Sequence, residues 1–114
     1  MEDKTTKKIY LSGPISGRDI RAVKRHFAIA AFCLIDKGEE EGEAIRVVSP
    51  DKLSAMDLSW DSYMKIAKAI IEDPSIDGIH MLRGWEKSKG CRLEIEWAIE
   101  RGLPVTYEAG ALTL

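Results

Sequence analysis

Ile76-Asp77-Gly78-Ile79-His80-Met81-Leu82 is the stretch on which the fold turns. It is almost continuously apolar, and Asp73-Pro74 and Arg83-Gly84 stand on either side of it. A strand wetted on one face alternates apolar with polar residues. An unbroken run of this length instead suits a strand covered on both faces, as in a parallel sheet. Upstream, Trp60, Tyr63, Met64, Ala67, Ile70 and Ile71 recur at helical spacing, predicting a helix from about Trp60 to Glu72 that Asp73-Pro74 ends. Downstream, a helix is expected from Lys89 to Arg101, stopped by Gly102, followed by a strand over Leu103 to Tyr107. Towards the N-terminus, Lys8 to Leu11 reads as a strand closed by the turn Ser12-Gly13-Pro14. A helix follows from about Asp19 to Lys37, with Val23, Phe27, Ala30, Ala31 and Leu34 on one face and Gly38 as its stop. The acidic Glu39 to Glu43 then reads as a solvated loop, and Ile45 to Val48 as another strand. The order β-α-β-α-β-α-β predicts an α/β fold, a single domain over residues 1–114, with a mostly parallel sheet and helices on both faces.

Composition agrees with one packed domain. The 114 residues are 45% hydrophobic and 32% charged, and 17 basic against 19 acidic side chains leave a formal charge of −2. So balanced a charge offers no field to a nucleic acid polymer. No apolar run approaches the roughly 20 residues that span a bilayer, so no membrane partner is expected. The polar start, Met1 to Lys8, carries no signal-peptide core, which predicts a cytoplasmic protein. Two cysteines and two histidines at unrelated positions predict no metal site, and no organic cofactor is implied. Cys33 is expected in the core and His26 at the surface.

In parallel α/β sheets ligands bind beyond the carboxyl ends of the strands. That points to Ser12 to Arg18, to the segment after Val48, and to Arg83 to Glu94. The first loop, Ser12-Gly13-Pro14-Ile15-Ser16-Gly17-Arg18, offers close backbone approach, a hydroxyl and a guanidinium ahead of a helix, a combination suited to phosphate or carboxylate. It lacks the spacing of a dinucleotide fingerprint or a Walker loop. In the last, Ser88 reads as an N-cap, and Gly90, Glu94 and Ala98 fall on one helix face. Glu94 near a helix start is either a favourable first-turn acid, held ionised, or a carboxylate able to attack a sugar carbon. Asp77, inside or just before the most apolar run, either needs a partner or a task or is a strand-entry cap after Pro74. His80 reads as a packed strand residue. Trp60 is expected in the core and Trp85 at the pocket. The stripe Trp60-Tyr63-Met64-Ala67 serves equally as core or as an interface between copies.

The run Ile9-Tyr10-Leu11-Ser12-Gly13-Pro14-Ile15-Ser16-Gly17, Asp77 in its apolar strand, and Gly90-Cys91-Arg92-Leu93-Glu94 with Ala98 together resemble the nucleoside 2-deoxyribosyltransferase superfamily, which includes the 2′-deoxynucleoside 5′-monophosphate N-glycosidases. The chain is similar to short bacterial and phage members, over about residues 7 to 107. The resemblance implies a Rossmann-like or flavodoxin-like domain that cleaves the N-glycosidic bond of a nucleoside or its 5′-monophosphate. It makes Glu94 the nucleophile, Tyr10 its neighbour, and Asp77 the residue that positions substrate and helps proton transfer. Ser88 stands where the monophosphate hydrolases have serine. Ser16, Gly17, Arg18 and Ser88 would hold the phosphate, with Trp85 and Gly90 beside the substrate. The resemblance also implies a homo-oligomer. The alternative is a non-catalytic nucleotide-binding module using the same pocket.

Overall fold

A computed structural model of the chain describes residues 6–50 and 58–114. Among these residues four strands, β1 (Thr6–Ser12), β2 (Ala44–Val48), β3 (Gly78–Met81) and β4 (Val105–Tyr107), form one sheet in the order β2-β1-β3-β4. Every pair is parallel. The helices α1 (Ile20–Glu40), α2 (Trp60–Ile71) and α3 (Lys89–Arg101) connect them. The result is a Rossmann-like α/β domain. From β1 the chain steps one way to β2, then returns past β1 to β3 and on to β4. Crossovers of one hand taken in opposite directions put α1 on one face of the sheet and α2 with α3 on the other.

The two-residue period of β1 shows this division. Tyr10 packs with Ala67 and Ile71 of α2 and Ile95 and Ala98 of α3. Leu11, next in sequence, packs with Val23, Phe27 and Ala30 of α1 on the opposite face. All of β3 is buried, as its apolar run requires. Arg101, at the end of α3, donates to the carbonyls of Ile71 at 3.0 Å and Ile76 at 2.9 Å, satisfying the end of α2 where it turns into β3.

Helix α3 has the expected ends, with Ser88 as N-cap and Gly102 in the left-handed conformation at φ 79°. Helix α1 does not. It runs through Gly38 to Glu40, and Glu39 and Glu40 belong to the helix, not to a loop. Gly38 is there for space: a Cβ would stand 2.5 Å from Ile45 Cγ1, so the glycine lets α1 close onto β2. Cys33 is exposed and not in the core. It falls on the outward side of α1, whose inward side is filled by Val23, Phe27 and Ala30. His26, expected at the surface, is mostly covered, its side chain 12% exposed and its Nε2 2.8 Å from Glu108 Oε1 after β4. Among the described residues no helix is long and apolar enough to cross a membrane.

Candidate active site

Tyr10 and Ser12 are two residues apart on β1 and so point to the same face of the sheet, towards α3. Glu94, in the second turn of α3, meets them there. The Tyr10 hydroxyl donates to Glu94 Oε2 at 2.5 Å and the Ser12 hydroxyl to Oε1 at 2.6 Å. Tyr10 and Ser12 are fully buried and Glu94 is 3% exposed. Burial pushes the Glu94 carboxyl up to about 7, against the pull of the Ser12 and Tyr10 hydrogen bonds, which favour the charged form. The first-turn acid is therefore overturned: no acidic residue occupies the first turn of α3, and Glu94 is raised, not held ionised by the helix end. Burial, with the Glu94 charge beside it, also holds the Tyr10 phenol well above its ordinary value. The Cys91 thiol is raised to about 11, chiefly by burial, so it stays protonated at neutral pH.

Glu94 forms part of the wall of a cleft of about 240 Å³ between the β1–α1 loop and the starts of α2 and α3. Gly13, Ile15 and Ser16 line one side, Trp60, Tyr63 and Met64 with Leu58 another, and Ser88, Gly90 and Cys91 the third. The absence of a side chain at Gly90 opens the cleft, since a Cβ there would reach 3.3 Å from Met64 Sδ. Gly13 similarly lets the loop leave β1: its Cβ would meet Leu82 Cδ1 at 2.9 Å. Lys89 Nζ lies 4.9 Å from the ring centroid of Trp60, itself a residue of the cleft wall. Cleft and carboxylate sit at the carboxyl ends of β1 and β3, where the strand order changes direction.

Not every expected site residue arrives. Asp77 precedes β3 at the amino end of the sheet, opposite the cleft. Its Oδ2 accepts from the Lys8 amide at 2.8 Å and its own amide donates to the Lys8 carbonyl at 2.8 Å. The carboxylate thus has its partner in β1, which agrees with the strand-entry reading of Asp77 and not with the substrate-positioning role that the resemblance implies. Pro14, Gly17 and Arg18 do not line the cleft, and Arg18 Nη1 folds back to the Pro14 carbonyl at 2.7 Å.

The two tryptophans exchange roles. Trp85 is 3% exposed in a single 3-10 turn, Trp85–Lys87, and its Nε1 donates to the Leu112 carbonyl at 2.8 Å. Trp60 is 40% exposed and lines the cleft. Being the first residue of α2, it lies beyond the end of the sheet that the rest of its stripe covers. Tyr63, Met64, Leu58 and Cys91 are cleft residues for which the sequence indicated no individual role, although Leu58 and Cys91 fall in the expected segments after Val48 and after Arg83. Residues 51–57 of the former segment lie outside the described residues. For Tyr63 and Met64 the signal existed, since their stripe begins at a strand's carboxyl end.

The chain belongs to the DUF4406 family. The family is described as a domain of unknown function, and its match covers residues 7–107, nearly the whole chain. Comparison with curated proteins and with solved structures gives no match. Among the described residues of this DUF4406 chain, no group of three or more His, Cys, Asp or Glu side chains is placed to hold a metal ion.

Proposed function

We propose that this DUF4406 chain is an N-glycosidase, or a base-exchanging deoxyribosyltransferase, acting on a nucleoside or nucleoside 5′-monophosphate. One observation supports the reading above others: a buried glutamate, oriented by two hydroxyls, in the wall of a cleft at the strand ends. In this reading one Glu94 oxygen bonds to the anomeric carbon while the C–N bond breaks and its electron pair leaves with the base, which takes a proton from solvent. Water then displaces Glu94 from the sugar and releases a proton; a second base in place of water would give exchange. Only the ionised carboxylate can attack, and Tyr10 and Ser12 favour that form. Trp60 and Tyr63 offer faces to the base, and Ser16, Ser88 and Lys89 suit a 5′-phosphate. This chemistry calls on no metal or organic cofactor, and the protein is taken to act in the cytoplasm.

The place of Asp77 favours a second reading, a non-catalytic nucleotide-binding module, because among the described residues no second carboxylate lines the cleft to protonate a leaving base. Chromatography of free base released from ribo- and deoxyribonucleosides and their 5′-monophosphates separates the two, with Glu94→Ala alongside. Release that vanishes in the variant, greatest for a 5′-monophosphate, is the expected result. Exchange with an added second base would make the chain a transferase. Nucleotide binding by both proteins, without release by either, would overturn the enzymatic reading and leave the binding module.

A further inference from the structure

The outward face of α1 is not used by the cleft, and its sequence is ordered along the helix. Arg21 and Arg25 lie on it near the amino end, Ile29 and Phe32 at its centre, Asp36 and Glu39 near the carboxyl end. At 3.6 residues per turn these six fall within one side of the helix, opposite Val23, Phe27 and Ala30, which face the sheet. Ile29 is 54% and Phe32 67% exposed. Two large apolar side chains held in water, between a basic and an acidic end, form a surface whose best complement is its own reverse.

We propose that two copies of this chain pair through α1, antiparallel about a two-fold axis level with Ala30 and Ala31. That register sets Ile29 of each copy on Phe32 of the other, and Arg25 of each opposite Asp36 of the other. The order of charges selects this arrangement: a parallel pair would stack Arg on Arg and Asp on Asp, whereas reversal matches every end. The axis lies at the middle of the 21-residue helix, so its whole length of about 31 Å is available to the contact. The interface is of the small class, with apolar burial at its centre and screened ion pairs at its rim. Arg25 and Asp36 are separated by about 16 Å along one helix, too far to pair within a copy. The proposal is independent of the chemistry assigned to Glu94, and it moves the expected interface away from the Trp60 stripe, which packs on the sheet or lines the cleft.

Sedimentation velocity over a dilution series tests it, using the full chain with Arg25→Glu, Asp36→Arg, and the two variants mixed. The parent is expected to sediment as a dimer that dissociates on dilution. Each single variant places like charges at both ends of its own interface and should weaken association by roughly tenfold or more. An equimolar mixture should regain the parent's association. At one end of the mixed pair the introduced glutamate of one copy meets the introduced arginine of the other, and at the other end the native Arg25–Asp36 pair forms. Both reversals put the charge favoured by the helix dipole at its end, so a loss of association cannot come from a weakened α1. A monomeric parent, variants that associate like the parent, or a mixture that stays as weak as its components would each overturn the proposal.

Discussion

The Tyr10 hydroxyl and the Glu94 carboxylate, 84 positions apart in the chain, meet at 2.5 Å, both residues almost wholly buried. The contact joins the first strand to the last helix. Its energetic character follows from the opposition of two effects. Desolvation favours the protonated acid, while the hydrogen bonds from Tyr10 and Ser12 favour the carboxylate, and burial prevails. A glutamate that titrates near neutrality can be poised for chemistry, but it is a liability for the fold.

That liability has a sign. Unfolded, Glu94 loses its proton near 4.5; folded, it keeps it until about 7. Between those values the folded state binds more protons, so this group lowers stability as pH rises, reaching about 3 kcal/mol above pH 7. Glu94→Gln removes the titration and fills the same space. Denaturant melts from pH 4 to 8 should show parent and variant converging at low pH, with the variant the more stable at high pH. A variant equal to or weaker than the parent at pH 8 would contradict the raised carboxyl.

Activity should run the opposite way. If the ionised carboxylate is the attacking form, base release should climb with pH through about 7 and then level. Glu94→Gln, which gains stability over the same range, should lose release by on the order of a thousandfold. The divergence between stability and rate in one variant separates a functional carboxylate from a structural one.

Tyr10→Phe removes a donor that favours the charged acid without touching the cleft wall. The Glu94 carboxyl should then rise further, and the midpoint of the rate profile should move to higher pH. Rates measured well above the new midpoint should approach the parent's. A loss of rate with no shift in the midpoint would give Tyr10 a direct part in the reaction instead.

Much of this was legible in the sequence, for physical reasons that differ between residues. The run around Ile79 announced a doubly covered strand, and the order of helices and strands then placed the site at the strand ends. Tyr10, Ser12 and Glu94 converge because a two-residue period on β1 faces one turn of α3. What the sequence withheld was which end of an element a residue occupies. The apolar run leaves open whether Asp77 stands inside or just before it, and helical spacing does not show that Trp60 heads its stripe: Asp77 lies before β3, Trp60 at the first position of α2. Gly38 misled because a glycine inside a helix can answer a neighbour's side chain as well as end the helix.

Asp77→Ala tests the reassignment of that residue. It deletes the carboxylate that accepts from the Lys8 amide where β1 meets β3, and should cost about 1–3 kcal/mol. Base release per folded molecule, measured below the melting range, should match the parent's. Unchanged stability with abolished release would return Asp77 to the reaction.

The tryptophans give the sharpest contrast, because the same substitution should have opposite readouts at two positions. Trp85→Ala empties a buried site and removes the hydrogen bond to the Leu112 carbonyl, so it should destabilise the fold by about 3–5 kcal/mol. Trp60→Ala removes a ring already 40% exposed, and should change stability by less than about 1 kcal/mol. Its effect should appear in ligand recognition: if a nucleobase stacks on that ring, KM should rise roughly tenfold, the equivalent of one lost stacking face. Trp60→Phe should recover most of that loss, since it restores an aromatic face without the indole N–H. Thermal melts and KM measured on the same preparations decide the matter. A Trp60→Ala variant that melts early with unaltered KM would mean that the ring supports the cleft without touching what enters it.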